Sequence, residues 1–413
     1  MKEPILVLHD DPVAERWEPF ALTRPAGELI FGTLTLRARA ERVFGRCAVH
    51  LAAAHLQGFS ERDAPRVGTL ADVPGDVDRL FWLSRAVPAW GAVLDAARGA
   101  GGPLRIGDTV VGWYAPAGEP APSLDRLGAR ADGAEPVLPG RVLEHVWELM
   151  SGNPLQISVD IDALHPTTPP HPHPSGVHIL GAHAIILGEG ASIEPGAVLD
   201  ATAGPIWLDR GVTVDAFTRL AGPAYIGPDS HLLGGTIASV STGPVCRLHG
   251  ELTTTVCLGY VNKQHDGHIG HAYLGSWVNL GSGTTNSDLK NNYGSIRIWT
   301  PDGEVDTGEI KMGSLVGDHV KTGIGLLLNT GTVVGAGSNL YGAAMPPKCV
   351  PPFSWGTGDE LVEYRLDRFL EVAERAMARR EVELDEGERG QLERAWQRAR
   401  GAGASAPPPG DGR

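Results

Sequence analysis

Aliphatic residues recur at every sixth position in two stretches of the chain. In the first they stand at Leu187, Ile193 and Leu199, then, after a nine-residue step, at Leu208, Val214, Leu220, Ile226 and Leu232. In the second they stand at Val316, Leu328, Val334 and Leu340, with Thr322 in the slot between the first two. A period of six matches neither the two-residue alternation of a half-buried strand nor the 3.6-residue turn of a helix. It matches a hexapeptide solenoid. There each unit lays one short strand on one face of a three-sided prism and sends its aliphatic side chain to the axis. Glycines beside the beat, such as Gly188, Gly211 and Gly335, suit the corners of such a prism. A sandwich whose turns recur at this spacing is the competing reading, and the length of the in-phase run disfavours it.

Outside the beat the pattern changes. Over residues 1–164 short apolar runs (Ile5 to Leu8, Ala48 to Ala52, Leu80 to Leu83, Thr109 to Trp113) alternate with helical patterns at Thr35 to Phe44 and Pro88 to Arg98. This order predicts an α/β domain around a nucleotide-binding type of sheet. Residues 165–176 contain the run HPTTPPHPHPSG, whose prolines exclude a regular element, and they are assigned as a linker. The repeat domain spans 177–356. Over 357–400 two C-terminal helices are predicted. Leu361, Tyr364, Phe369, Val372, Ala373 and Met377 share one face of the first, and Asp385 with Glu388 is placed to cap the second. Helices here would cover the open end of the solenoid, whose strand edges otherwise invite pairing with other chains. Residues 401–413 have little to bury and are expected to be disordered.

Composition narrows the function. A formal charge of −14 argues against nucleic acid as a general partner, because phosphate binding needs clustered Lys and Arg. Cys47, Cys246, Cys257 and Cys349 form no CxxC pair or disulfide framework, so a reducing, cytoplasmic setting is expected and no structural metal is indicated. No stretch approaches the roughly 18 apolar residues of a membrane span.

Candidate chemistry concentrates between the two repeat blocks, in GYVNKQHDGHIGHAYLGSWVNLGSGTTNSDLKNNYG, residues 259–294. A purely structural coil does not need this density of His, Asp, Asn, Lys and Tyr. Within it VNLGSGT, residues 278–284, resembles the VNIGAGT stretch of the GlmU-like bifunctional family, N-acetylglucosamine-1-phosphate uridyltransferase and glucosamine-1-phosphate acetyltransferase. That resemblance implies a left-handed parallel β-helix carrying an acetyl-CoA-dependent N-acetyltransferase for an amino sugar phosphate. The family's catalytic His precedes the Asn of this stretch by a fixed step that lands on His265, which becomes the expected base. Its imidazole would take a proton from the sugar amine as the nitrogen attacks the thioester. Asp266 is expected to orient it or to touch substrate. Further along, the resemblance implies Asn279, Lys290 and Tyr293 as substrate contacts, the Ser282 backbone amide at the thioester carbonyl, and Lys321 at the CoA phosphates. It also implies a homotrimer with sites between neighbouring subunits.

A weaker likeness marks the N-terminus. LTRPAGELIFGTLTLRARAERVFG, residues 22–45, looks like a divergent nucleotidyltransferase segment, as in the alternative GlmU-like group of putative sugar nucleotidyltransferases. It implies Arg24 as a nucleotide contact, UTP or another NTP as substrate, Mg²⁺ as the metal and UDP-N-acetylglucosamine as the product of coupled halves. In place of the family's Gly-rich phosphate loop, however, HDDPVAERW follows Leu8 and brings Asp10 and Asp11. Two other functions compete. One is a non-catalytic sugar-nucleotide-binding or assembly protein. The other is a metal-dependent hydratase of the carbonic anhydrase type, built on a similar solenoid with histidines as ligands.

Overall fold

Residues 3–61, 63–94, 101–166, 174–358 and 360–401 are described by a computed structural model. The aliphatic beat is the lumen of a parallel β-solenoid. Ile193, Leu199, Leu208, Val214, Leu220, Ile226, Leu232, Val316, Leu328, Val334 and Leu340 all belong to one buried cluster that runs along its axis. The strands stack in parallel on three faces. One face is a nine-stranded sheet that starts at Ile185–Leu187 and ends at Cys349–Val350. Coils stack in register, so that Trp207 lies beside Tyr225 and Tyr273 beside Val256. One corner is held by residues with left-handed backbone in successive coils, Tyr260, Trp277, His319, Gly337 and Phe353. Three of their rings stack: Tyr260 on Trp277 at 4.0 Å between centroids, and Trp277 near His319 at 6.3 Å. Burial of these rings against a helix offsets a backbone conformation that bulky residues otherwise avoid.

Between Asn286 and Ser314 the chain leaves the solenoid. It forms an antiparallel hairpin, Arg297–Thr300 with Gly303–Asp306, and then rejoins the sheet where Leu315 pairs with Tyr273. The repeat pattern breaks over this stretch, which is why it carries no six-residue beat.

In the N-terminal region Ile5–His9 is flanked by parallel strands Cys47–Leu51 and Arg79–Leu83, and antiparallel strands Thr109–Ala115 and Gly102–Ile106 extend the sheet. The helix Leu36–Phe44 starts where the Thr35 side chain accepts from the Ala38 amide, as its pattern predicts. The helix expected over Pro88 to Arg98 does not form in its described part. Ala86–Pro88 is a strand paired with Gly140–Val142, and residues 95–100 lie outside the described residues. Residues 167–173 of the Pro/His-rich linker and 402–413 of the tail also lie outside them.

The two halves share a core. Trp17, Phe20, Ile30 and Phe31 pack with Val256, Tyr273, Leu315 and Val333 on the outer side of the nine-stranded face. Hydrogen bonds lock the contact. The Tyr273 hydroxyl accepts from the Ile30 amide at 2.7 Å, and Ser241 donates to the Gly32 carbonyl at 2.6 Å.

At the far end the structure corrects one expectation. Leu361 belongs to a strand, Glu360–Glu363, which pairs antiparallel with Ser354–Thr357 and closes the sheet edge. The helix begins only at Leu366 and runs to Ala378. It packs Phe369, Leu370, Ala373 and Met377 with Trp277 and Phe353 of the aromatic corner, rather than covering the solenoid end. The helix Glu386–Gly401 is capped as predicted, with the Glu388 amide donating to Asp385 at 2.8 Å.

Candidate active site

Three adjoining regions of the solenoid carry the polar residues of 259–294. At one corner the turn 265–267 stands next to 281–283, with the Gly283 amide donating to the Asp266 carbonyl at 2.9 Å. His265, Asp266 and Ser282 are all exposed there. The structure therefore brings these three into one neighbourhood. It does not make Asp266 the orienting partner of His265. Neighbouring residues on a turn diverge, and the Asp266 carboxylate lies 3.4 Å from His249 Nδ1 of the preceding coil instead.

Beneath this corner Lys263 occupies an inward slot, stacked on Leu248. It is fully buried, and its ammonium donates to the carbonyls of His249 and His265. Burial pushes it down to about 8. An inward lysine on an aliphatic column is anomalous on packing grounds alone. Here it ties down the backbone that bears His265.

On the next face Asn262, Asn279, Lys321 and Asn339 form an outward polar column in successive coils. The Asn262 amide donates to Asn279 Oδ1 at 2.9 Å. Lys321 points back to the Trp277 carbonyl, and burial pushes its ammonium down to about 7. Its ammonium is thus engaged with the backbone of the adjoining coil.

The third region holds the strongest arrangement, and the sequence reading did not single it out. His271 Nδ1 lies 2.7 Å from Asp288 Oδ2. His268 Nε2 approaches the same oxygen at 3.7 Å, and His268 Nδ1 lies 3.5 Å from Glu251. The nearby His268 and the hydrogen-bonded His271 hold the Asp288 carboxyl well below the usual carboxylate range, and Asp288 in turn raises His268. An Asp on Nδ1 fixes the ring and leaves Nε2 as the proton acceptor, the geometry of a general base. His271 and Asp288 are seventeen positions apart, about one coil. Coil stacking is therefore the signal that could have found them. Lys290 and Tyr293 follow on the excursion. The Lys290 ammonium donates to the Ser295 carbonyl and Tyr293 is exposed. Among the described residues no group of three or more His, Cys, Asp or Glu could hold a metal ion.

In the N-terminal sheet, ligands of open α/β folds sit at the carboxyl ends of the strands where the strand order reverses. That point lies between Ile5–His9 and Arg79–Leu83, and it is filled from within. Asp10, buried, accepts from Ser84, from the Ala26 amide at 3.0 Å, and contacts His50 Nε2 at 2.8 Å. Asp11 is bound by Arg85 at 2.9 Å and by the Ala14 amide at 3.0 Å. Arg24 is buried between Asp318 of the solenoid, at 2.9 Å, and Glu61, at 2.8 Å. Against the cost of burial, these two acids hold its guanidinium charged. The expectation that Arg24 meets a nucleotide is corrected on this ground: its donors already serve two carboxylates.

Residues 6–167 match the sugar nucleotidyl transferase family. Two curated relatives resemble parts of the chain. A bifunctional sugar-1-phosphate nucleotidylyltransferase/acetyltransferase of Sulfurisphaera tokodaii is 25% identical over 95 residues, 23% of this chain and 24% of that protein. The bifunctional protein GlmU of Bartonella quintana is 27% identical over 195 residues, 45% of this chain and 39% of that protein. The matches thus span less than half the length of either relative. Among solved structures, a mutant of AntD, an N-acyltransferase from Bacillus cereus in complex with dTDP-4-amino-4,6-dideoxyglucose and coenzyme A, is 16% identical and covers 48% of this chain and 90% of that one, with a TM-score of 0.21.

The Mg²⁺ and triphosphate that a nucleotidyl transferase region implies do not fit the residues at the strand ends as they stand. Both carboxylates that could take a metal are saturated by internal donors, and the cation that could meet a phosphate is paired twice. No helix of the described residues is long and apolar enough to cross a membrane.

Proposed function

We propose that the solenoid transfers an acetyl group from acetyl-CoA to the amine of a sugar phosphate or nucleotide sugar, with His271 as the base. The observation that carries this reading is the 2.7 Å contact between His271 and Asp288 on a coil beside the VNLGSGT stretch. In the step, His271 Nε2 accepts a proton as the amine nitrogen bonds to the thioester carbonyl carbon. The tetrahedral centre then collapses, the carbon–sulfur bond breaks, and the thiolate of CoA leaves and takes a proton. Asp288 holds the ring while the charge on it develops. His265 and Ser282 line the neighbouring corner, where the acyl carrier would approach. Asn279 faces the acceptor from the polar column. The working form is a homotrimer, in which a second copy would wall the outward faces; exposed Phe217 and Ile324 are available for such a contact.

Release of CoA thiol from acetyl-CoA with glucosamine-1-phosphate tests the reading. His271→Ala is expected to lower kcat by about 10²–10⁴-fold, and His265→Ala by less. A wild-type protein that releases no thiol with any amino sugar phosphate or amino sugar nucleotide overturns the activity. Loss in His265→Ala with His271→Ala intact returns the role of base to His265.

For the N-terminal region the filled crevice favours a second reading, a nucleotidyl transferase fold retained as a wall for the solenoid.

A further inference from the structure

A cavity of about 570 Å³ opens between the segment Glu15 to Leu22, the excursion at Trp299, the last solenoid coils and the end of the helix Glu386–Gly401. It is remote in the fold from the His271 coil and belongs to neither site discussed above. The apolar part of its wall is formed by Trp299, Trp396, Phe353 and four prolines, and its size is that of a small-molecule site.

Its charges are unevenly satisfied. At the rim Arg16 is paired with Asp302 and Arg400 with Glu363, and Arg400 also stacks on Trp396. Glu18 lines the interior, and no hydrogen-bond donor among the described residues reaches its carboxyl group. Glu15 faces the same space, and Arg398 is the cation that acts on both acids. The remaining group, Cys349, has its thiol pushed up to about 12 by burial and stays neutral. Two acids thus share one cation, and the deeper acid lacks a partner. Half-buried on the wall, Glu18 presents its carboxyl group to the cavity, open to the donors of a ligand.

We propose that this cavity binds a small molecule with an ammonium group on a flat apolar body, the ammonium on Glu18 and the ring against Trp299 and Trp396. Indole faces attract such cations and pack flat rings, so both ends of the ligand are matched. A carboxylate or phosphate ligand would meet Glu15 and Glu18 beside Arg398, and the two acids oppose it.

Phenethylamine is a direct probe, with 2-phenylethanol and 3-phenylpropionate as neutral and anionic controls, titrated into the full chain by calorimetry. Burial pushes Glu18 up to about 7, so an ammonium must displace its proton below that pH. Phenethylamine affinity is therefore expected to rise about tenfold from pH 6 to pH 8, and to exceed that of the alcohol at least several-fold at pH 8. Glu18→Gln keeps the wall intact and should abolish both the preference and the pH dependence, with near-UV circular dichroism reporting that the fold is kept. Absence of saturable binding overturns the proposal, as does equal binding of the alcohol or an unchanged Glu18→Gln. In those cases Glu18 is a protonated wall residue only.

Discussion

Arg24 and Asp318 come from opposite halves of the chain and meet at 2.9 Å with both side chains almost completely buried. Asp318 also accepts from Thr23 and from the Ser276 amide, each at 2.7 Å. The pair therefore pins the N-terminal region to two successive coils. Coupling of this kind makes the halves one folding unit, because neither partner can be solvated while the interface is closed.

Breaking that pair leaves buried Arg24 with Glu61 as its remaining carboxylate partner and with donors unmet on the solenoid side. Asp318→Ala is expected to cost about 3–5 kcal/mol in chemical denaturation, and an Arg24→Met, Asp318→Leu double variant clearly less. Equal losses in single and double variants would show that the ion pair is not what holds the halves together.

The His268–Asp288 contact predicts a pH dependence with a definite sign. His268 is raised in the folded state, so its contribution is fully present below the unfolded histidine value and is lost as pH rises through the folded one. Asp288→Asn removes the main cause of that shift. The stability gap between wild type and variant should therefore be larger at pH 6 than at pH 9. Thermal unfolding across this range measures it, and a gap that stays constant contradicts the assignment.

Lys263 predicts the opposite slope. With its folded value lowered to about 8 by burial, the unfolded state binds more protons between that value and the ordinary lysine value. Stability from this group is present at higher pH and lost as pH falls through 8. Lys263→Met should flatten the rise between pH 8 and 10, though not abolish it, because Lys321 is lowered too. It also frees the carbonyls of His249 and His265, so amide exchange in residues 265–268 should quicken. Unchanged exchange there would separate Lys263 from the site.

The closed crevice predicts that UTP, N-acetylglucosamine-1-phosphate and Mg²⁺ yield no pyrophosphate. Sustained release, lost in Asp10→Asn, would show that the network of Asp10, Asp11 and Arg24 opens in solution.

Much of the architecture was legible before any coordinates. The six-residue beat marks lumen positions because a prism interior accepts one side chain per face, and every aliphatic residue of the second block is buried there. Asp385 announces a helix start through short-range capping, which needs no tertiary context. Leu361 was misread because its apolar pattern continues smoothly into a helix. Strand pairing with Trp355 and its neighbours overrides that local preference.

The chain's own pattern thus determined the solenoid, its axis-facing residues and the segment where polar chemistry gathers. All of these follow from periodicity and burial. Only the tertiary structure decided which polar groups meet. His271 finds Asp288 through the register of adjacent coils, and Arg24 finds Asp318 across an interface between halves. The first needs the coil length, which the folded solenoid sets, and the second joins segments 294 positions apart that no local rule of spacing or propensity relates.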